Sequence, residues 1–562
     1  MVVRSRSRVF RNLAVAAVLA AGSVVSVLPA ASAAADPPAA PLAEVAVAPV
    51  SWGACAPGDI GNVPPADQAK FGCANFVVPL DYDHPNRGSI NLAMMRRQAN
   101  DQANRIGSLF LNPGGPGGSG YRLPTIGQLI VQPAVLDRFD LIGFDPRGVA
   151  RSTPLRCFAT QEDANDVFAR FALLPISRQE ERTTTNAIKD YARFCDRFAG
   201  PLLEEMGTGN VARDLDRMRA GVGDAQLNYL GFSYGTLLGA TYANLFPQRS
   251  RAIILDGNVD PKLRLHDGVE YDRQRTNGFE ISLDAYLKRC DAVGVACAFS
   301  DGDPRAKFDE LRTHLRQQGP ITLPDGTVVP IDQFTALVSS TLYVPENLAP
   351  LAEFLQAMFD VIHPPAAAAA RATVSAQTVQ TLRANGKLGQ LDVRPNLLAD
   401  TPYTADDSYF AVNCTDKPFD NRLNQVPALA DRWEREMPTF GRYQAWSDPS
   451  VCPAWPLDRR DAYTGPWNRR TPNPVLVYAN FYDPATNYEF GKRMARELGN
   501  GFLVSADAFG HTILGFSNCT DTIATNYLIE LRLPGPGTVC HPNVQPFPFI
   551  PGTNRSAADR AD

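Results

Sequence analysis

The chain is poor in the features that mark several large protein classes. Only six of its 562 residues are histidine, and no close C-x-x-C pair or H-E-x-x-H sequence occurs, so a zinc centre is not expected. Positive charge is in deficit. The 54 Lys and Arg stand against 59 Asp and Glu, and loss of Arg4, Arg6, Arg8 and Arg11 with an N-terminal leader would take the net charge from −5 to −9. That balance disfavours a nucleic-acid or anionic-membrane surface. Behind the first thirty residues no apolar run is long enough to cross a bilayer, and no internal repeat stands out.

What the N-terminus does contain is a basic stretch, an apolar core over residues 13–28 and the small-residue pattern Ala31-Ser32-Ala33. Together these read as a secretory signal over residues 1–33. No adjacent arginine pair lies within it, which favours the general export route over the twin-arginine one. Residues 34–50 are Ala- and Pro-rich without amphipathic period, as in a flexible lead or a removable pro-segment. The mature chain is therefore expected outside the cell, without stable membrane insertion. Ten cysteines, an even number, fit an oxidised framework in that compartment.

At this length and 44% hydrophobic content the chain can bury a large core. Strand and helix signals alternate from about Phe76 to Asn258 and resume from about Asn473 to Leu531, which predicts an α/β fold: a mostly parallel sheet with helices on both faces. The two core parts are assigned to residues 51–259 and 448–545. Residues 260–447 between them are mainly helical in pattern and read as a cap insertion over the site. This part includes the low-complexity run at 364–370, a helix start or linker. Residues 546–562 read as a flexible tail.

Gly231-Phe232-Ser233-Tyr234-Gly235 lies between the buried-strand signal of residues 227–230 and a small-residue helix that opens at Thr236. A G-x-S-x-G sequence in that setting builds a nucleophile elbow, which makes Ser233 the candidate nucleophile. The two glycines suit a strained turn in which side chains would collide with the neighbouring strand and helix. A serine hydroxyl needs a base to take its proton and a carboxylate to orient that base. Downstream, residues 474–479 form a strand signal followed by Asp483, the candidate acid. One helix and one strand later Phe509-Gly510-His511 supplies the candidate base. His84, His266, His314, His363 and His541 fall in turns, the insertion or the tail. Asp256, after the strand signal of residues 251–255, is the competing acid; it reads as a cap of the turn at Gly257.

An acyl-transfer site also needs donors for the developing oxyanion. Asn112-Pro113-Gly114-Gly115-Pro116-Gly117-Gly118-Ser119-Gly120 follows the strand signal of residues 108–111, and the amides of Gly115 and Tyr234 are the candidate donors. The same loop satisfies G-x-G-x-x-G, the dinucleotide fingerprint. Pro116 inside the pattern and the lack of a helix at Gly120 argue against it, and no Lys-Ser/Thr pair follows as in a Walker loop. No cofactor is expected.

Taken in order, residues 112–120, Asp145-Pro146-Arg147-Gly148-Val149-Ala150-Arg151-Ser152, Ala212-Arg213-Asp214-Leu215-Asp216, Gly231 to Thr236, Leu255-Asp256-Gly257, Asp483-Pro484-Ala485-Thr486 and Gly510-His511 resemble the secreted actinobacterial tripeptidyl aminopeptidases. These belong to the prolyl-aminopeptidase-like branch of the α/β hydrolases. The similarity runs from about Trp52 to Pro542. It implies an α/β-hydrolase fold with a cap, and serine exopeptidase action that releases tripeptides from free N-termini of peptides and proteins. Ser233, Asp483 and His511 match the family triad, Gly114-Gly115-Pro116-Gly117 its oxyanion loop, and Thr486 a threonine that follows its acid. Sequential pairing of neighbouring cysteines is expected from the resemblance together with the short loops it closes. Relatives named for prolyl specificity carry a histidine before the paired glycines; Pro113 stands here, which bears on the preferred leaving residue. A counter-charge for the substrate ammonium is needed, but none of the acids Glu270, Glu280, Glu346, Glu353, Asp406, Asp407 or Asp416 is singled out. A prolyl or other mono-aminopeptidase, and a secreted esterase or lipase with the same triad, are the alternatives.

Overall fold

The computed structural model describes residues 47–364, 401–457 and 462–547. The expected signal segment, residues 34–46 of the expected lead, positions 365–370 of the low-complexity run and the tail beyond 547 lie outside them. One nine-stranded sheet organises the described chain, from β1 (Phe71–Pro79), β2 (Ser89–Arg97), β3 (Gly107–Asn112), β4 (Phe139–Phe144), β5 (Leu227–Phe232) and β6 (Ser250–Asp256) to β9 (Val475–Tyr482), β10 (Gly501–Phe509) and β11 (Val539–Cys540). The spatial order is β1-β2-β4-β3-β5-β6-β9-β10-β11. Only β2 runs against its neighbours; from β4 to β11 every pairing is parallel.

Every residue of β3 and β4 is buried, as a parallel strand covered on both faces requires. The two-residue period then sends alternate side chains into two cores. Phe110, Tyr229, Ile253 and Val477 join Leu215 and Leu237 from the helices Thr208–Gly221 and Tyr234–Leu245. Leu109, Leu230, Ile254 and Tyr478 join Leu136 and Tyr527 from the helices Pro133–Arg138 and Asn518–Glu530. Each face thus has its own helical cover, and the strand ends are left to carry loops.

Between β6 and β9 the described residues are mainly helical, apart from a small ribbon of β7 (Ile321–Thr322) and β8 (Val328–Val329). The helices Gly268–Val293, Pro304–Gln317, Ile331–Thr341 and Leu348–Ile362 share a separate core that includes Phe279, Phe308, Phe334 and Phe354. Each such ring contributes roughly 1.5–3 kcal/mol by leaving water. The same core takes in Phe509 at the end of β10 and Ala485 just after β9, so the insertion packs over the C-terminal ends of the strands. In an open parallel sheet that is the edge where sites form.

All ten cysteines pair, each with its neighbour in sequence: Cys55–Cys73, Cys157–Cys195, Cys290–Cys297, Cys414–Cys452 and Cys519–Cys540. Cross-links of this kind stabilise mainly by restricting the unfolded chain. Cys519–Cys540 ties the two-residue edge strand β11 to the start of the helix Asn518–Glu530. No helix among the described residues is long and apolar enough to cross a membrane.

Candidate active site

β5 ends in a turn that holds Ser233 at φ 56°, ψ −124°, a backbone conformation non-glycine residues rarely adopt. Such a residue costs of order 1–3 kcal/mol and persists only where its surroundings enforce it. Here they do: the Ser233 N–H donates to the main-chain oxygen of Asp256 at 2.9 Å, and the Ser233 carbonyl accepts from the Thr236 N–H at 2.9 Å and its hydroxyl at 2.6 Å. Both flanking glycines are required by space. A Cβ on Gly231 would lie 2.4 Å from the Gly235 oxygen, and one on Gly235 would lie 2.7 Å from Asn112 Oδ1.

Asp483 follows β9 and His511 follows β10. The fully buried Asp483 carboxylate meets Nδ1 of His511 at 3.0 and 2.9 Å. It also accepts from the N–H groups of Ala485 and Thr486 at 2.9 and 2.8 Å and from the Thr486 hydroxyl at 2.9 Å, while Thr486 Oγ1 stands 3.2 Å from Nδ1. A carboxylate so furnished with donors is fixed in orientation and fixes the proton of the imidazole on Nδ1. Nε2, the other ring nitrogen, is buried and has no hydrogen-bonding partner among the described residues. A lone pair in that state is what a general base offers.

Asp256 lies elsewhere than a competing acid would. Its carboxylate accepts from the Ile513 N–H at 3.2 and 2.9 Å and the Leu514 N–H at 2.9 Å and makes no hydrogen bond to the imidazole. Nor does it cap the turn at Gly257, as its position at a strand end suggests; it holds the segment after His511, a tertiary contact across 257 residues. Burial pushes its carboxyl up to about 7.

The glycine-rich loop after β3 presses on the elbow. A Cβ on Gly114 would lie 2.3 Å from the Phe232 oxygen, 2.9 Å from Ser233 Cβ and 2.9 Å from the Tyr234 nitrogen, so only glycine permits this approach. Gly115 is the next residue. Tyr234 opens the helix Tyr234–Leu245, where the first N–H groups have no acceptor within the helix. Both candidate donors therefore stand beside Ser233. Pro116 lies in a turn, and the loop runs on to the short 3-10 turn Leu123–Ile126, which is not the helix a dinucleotide loop requires.

The insertion adds groups that no local pattern in the sequence announces. Tyr343 accepts the His511 N–H on its main-chain oxygen at 2.9 Å and sets its ring edge-on to the imidazole, with centroids 5.2 Å apart. Arg275 reaches the Tyr343 hydroxyl at 3.4 Å and Gln444 Oε1 at 3.0 Å. A Cβ on Gly117 would lie 2.6 Å from Ser408 Oγ, which puts residues 408–409 against the glycine-rich loop after β3. Most of the acids considered as ammonium partners are already engaged. Asp407 accepts from Cys157 N–H and Tyr191 Oη, Asp416 from Thr208 N–H, Glu280 from Thr439 and Phe440 N–H, and Glu270 pairs with Arg273. Asp406, half-buried, accepts from the Ala150 N–H.

A family described as TAP-like protein matches residues 437–540, and one described as alpha/beta hydrolase fold matches residues 107–280. Serine protease Hip1 of Mycobacterium tuberculosis is 32% identical over 489 residues, which cover 83% of this chain and 87% of that one. Tripeptidyl aminopeptidase of Streptomyces lividans is 30% identical over 513 residues, covering 90% and 89%. Carboxylesterase B of Mycobacterium tuberculosis is 30% identical over 495 residues, covering 84% and 86%.

Proposed function

The chain belongs to the tripeptidyl aminopeptidase family of α/β hydrolases and is a serine hydrolase of the peptidase kind; from that premise we propose that it is an exported exopeptidase that releases tripeptides from the free N-termini of peptides and proteins. Ser233 attacks the scissile carbonyl, His511 takes its proton on Nε2 and returns it to the leaving amine, and Asp483 holds the tautomer and stabilises the imidazolium. The amides of Gly115 and Tyr234 receive the oxyanion. Water then repeats the sequence on the acyl-enzyme, with His511 again as base. Thr486 and Gly114 support the acid and the elbow.

The observation that carries this reading is the His511 imidazole, whose Nδ1 is committed to Asp483 while Nε2 is buried without a partner. The insertion over the strand ends supports an exopeptidase, because a covered cleft admits chain ends and excludes folded protein. Five disulfides support an exported chain. In this scheme residues 260–447 act as the cap and residues 51–259 and 448–545 as the catalytic core.

Mass spectrometry of the early products from an unblocked peptide tests the reading, with tripeptides as the expected release. Acetylation of the amino group removes its charge and is expected to cost roughly 2–5 kcal/mol if the ammonium meets a buried partner. Ladders shortened by one residue would make the protein a mono-aminopeptidase. The relative named carboxylesterase favours a second reading, an exported esterase, which hydrolysis of short acyl esters in the absence of any peptide cleavage would establish.

A further inference from the structure

Asp256 is an ionisable acid where its hydrogen bonds need only a neutral acceptor. The side chain is wholly buried, and among the described residues its hydrogen bonds come only from the Ile513 and Leu514 N–H groups. Among the described residues no Lys or Arg forms an ion pair with it. A neutral acceptor would satisfy two amides equally well, whereas an unpaired buried carboxylate is expensive to keep ionised. Its backbone is committed to the same neighbourhood: the carbonyl accepts the Ser233 N–H at 2.9 Å, and a Cβ on the next residue, Gly257, would lie 3.0 Å from Cε1 of His511. One strand end therefore touches the nucleophile turn, the edge of the imidazole and the segment that follows it.

We propose that the Asp256 carboxylate is a positioning residue for His511: it anchors residues 511–514 by charge-assisted hydrogen bonds and supports, from the β6 side of the ring, the imidazolium that forms when Ser233 is deprotonated. This rests on the serine-hydrolase reading of the site. The division of labour with Asp483 is clear from the contacts. Asp483 bonds Nδ1 and sets the tautomer, while Asp256 makes no hydrogen bond to the ring and acts through the backbone of the next turn and through its charge.

The titratable groups that face Asp256 are His511 and Asp483 from the loops after β10 and β9, and Tyr478, its register partner on β9. Tyr478 donates its hydroxyl to the Thr520 oxygen at 2.9 Å, and β5 presents Phe232 in register on the other side. Burial is the largest influence and raises the carboxyl; the two N–H bonds and a positive His511 lower it, and Asp483 raises it, with the outcome at about 7. The sign for stability follows from linkage. A carboxyl whose folded value is raised from 3.8 contributes stability that is complete below about pH 4 and lost as pH rises through 7. Activity has the opposite need, since both the anion at Asp256 and the neutral base at His511 appear as pH rises.

The test is the pH dependence of kcat/KM for the full chain, read on a tripeptidyl p-nitroanilide and, independently, on p-nitrophenyl acetate. Use of the ester separates this proposal from the exopeptidase reading, because acyl transfer to Ser233 is common to both substrates. In the wild type two groups must lose protons, so the acid limb should approach a slope of two on both substrates. In Asp256→Asn the slope should fall to one, with kcat at pH 8 down about tenfold or more and KM changed by less than about twofold. The gap in Tm between wild type and variant should also shift against the wild type from pH 5 to pH 9. A wild-type acid limb of slope one overturns the proposal even if the variant does not fold, as does a folded variant with unchanged kcat and pH profile.

Discussion

The Thr486 hydroxyl donates to Oδ2 of Asp483 at 2.9 Å while its oxygen stands 3.2 Å from Nδ1 of His511, so one small side chain closes a triangle with the acid and the base. With the Ala485 and Thr486 N–H groups on Oδ1, the carboxylate has no freedom to turn away from the ring. Thr486→Val keeps the shape and removes the donor. We expect kcat to fall by about tenfold and Tm to change little, since one hydrogen bond to a charged group is worth roughly 1.5–3 kcal/mol and the two amide bonds remain. Steady-state kinetics beside a thermal melt checks this; a fall in KM alone would contradict it.

Ser233→Ala and Asp483→Asn should separate the roles of nucleophile and orienting acid. Loss of the hydroxyl removes the attacking atom, and turnover should drop by about five orders of magnitude or more in a folded protein. The amide at position 483 favours the wrong tautomer of His511, for an expected loss of about 10³ to 10⁴ in kcat. Burst kinetics with a chromogenic ester distinguishes the two: the alanine variant should give no acyl-enzyme burst at any pH. Equal residual activity in both would mean that the serine is not the nucleophile.

The elbow and the order of serine, acid and histidine were legible because each rests on a short local pattern: Gly231 and Gly235 around Ser233, a strand end before Asp483, a strand end before His511. The strands themselves run a little longer than their apolar signals, as with β9 at Val475–Tyr482 against the signal of residues 474–479, because hydrogen bonding continues past Ala479 through the polar Asn480. Asp256 was misread for the opposite reason. Its local setting is a strand end before a glycine, and nothing nearby in sequence signals the amides of Ile513 and Leu514. Tyr343 was likewise invisible, since its place against His511 is set by how the insertion core closes on Phe509 and Ala485. Local chemistry reads from sequence; contacts between segments hundreds of residues apart do not.

Asp407 provides a test of pH-dependent stability away from the triad. It is buried, accepts from the Cys157 N–H at 2.7 Å and from the hydroxyls of Tyr191 and Tyr403 at 2.7 and 3.2 Å, and burial pushes its carboxyl up to about 6 from 3.8. Between these values the folded chain holds a proton that the unfolded chain releases. Its contribution is therefore complete below about pH 4 and lost as pH rises through 6, an amount on the order of 3 kcal/mol. Denaturant titrations at pH 4.5 and 7.5 on wild type and Asp407→Asn should show the variant gaining on the wild type as pH rises; parallel curves would refute the assignment.

Gly114→Ala addresses the oxyanion loop without removing any polar group. The added methyl would fall 2.3 Å from the Phe232 oxygen and 2.9 Å from Ser233 Cβ, both parts of a turn that is already strained and braced by the Asp256 carbonyl and Thr236. Backbone cannot yield there by rotation of a side chain, so the loop must retreat and take the Gly115 amide with it. A donor displaced by even an ångström loses most of its hold on an oxyanion, and loss of one such donor costs about 10² to 10³ in kcat. We expect a loss of that size with substrate binding nearly preserved. If the methyl were tolerated with normal kcat, the Gly115 amide would not lie where the developing charge needs it, and the hole would have to be built from other donors around Tyr234.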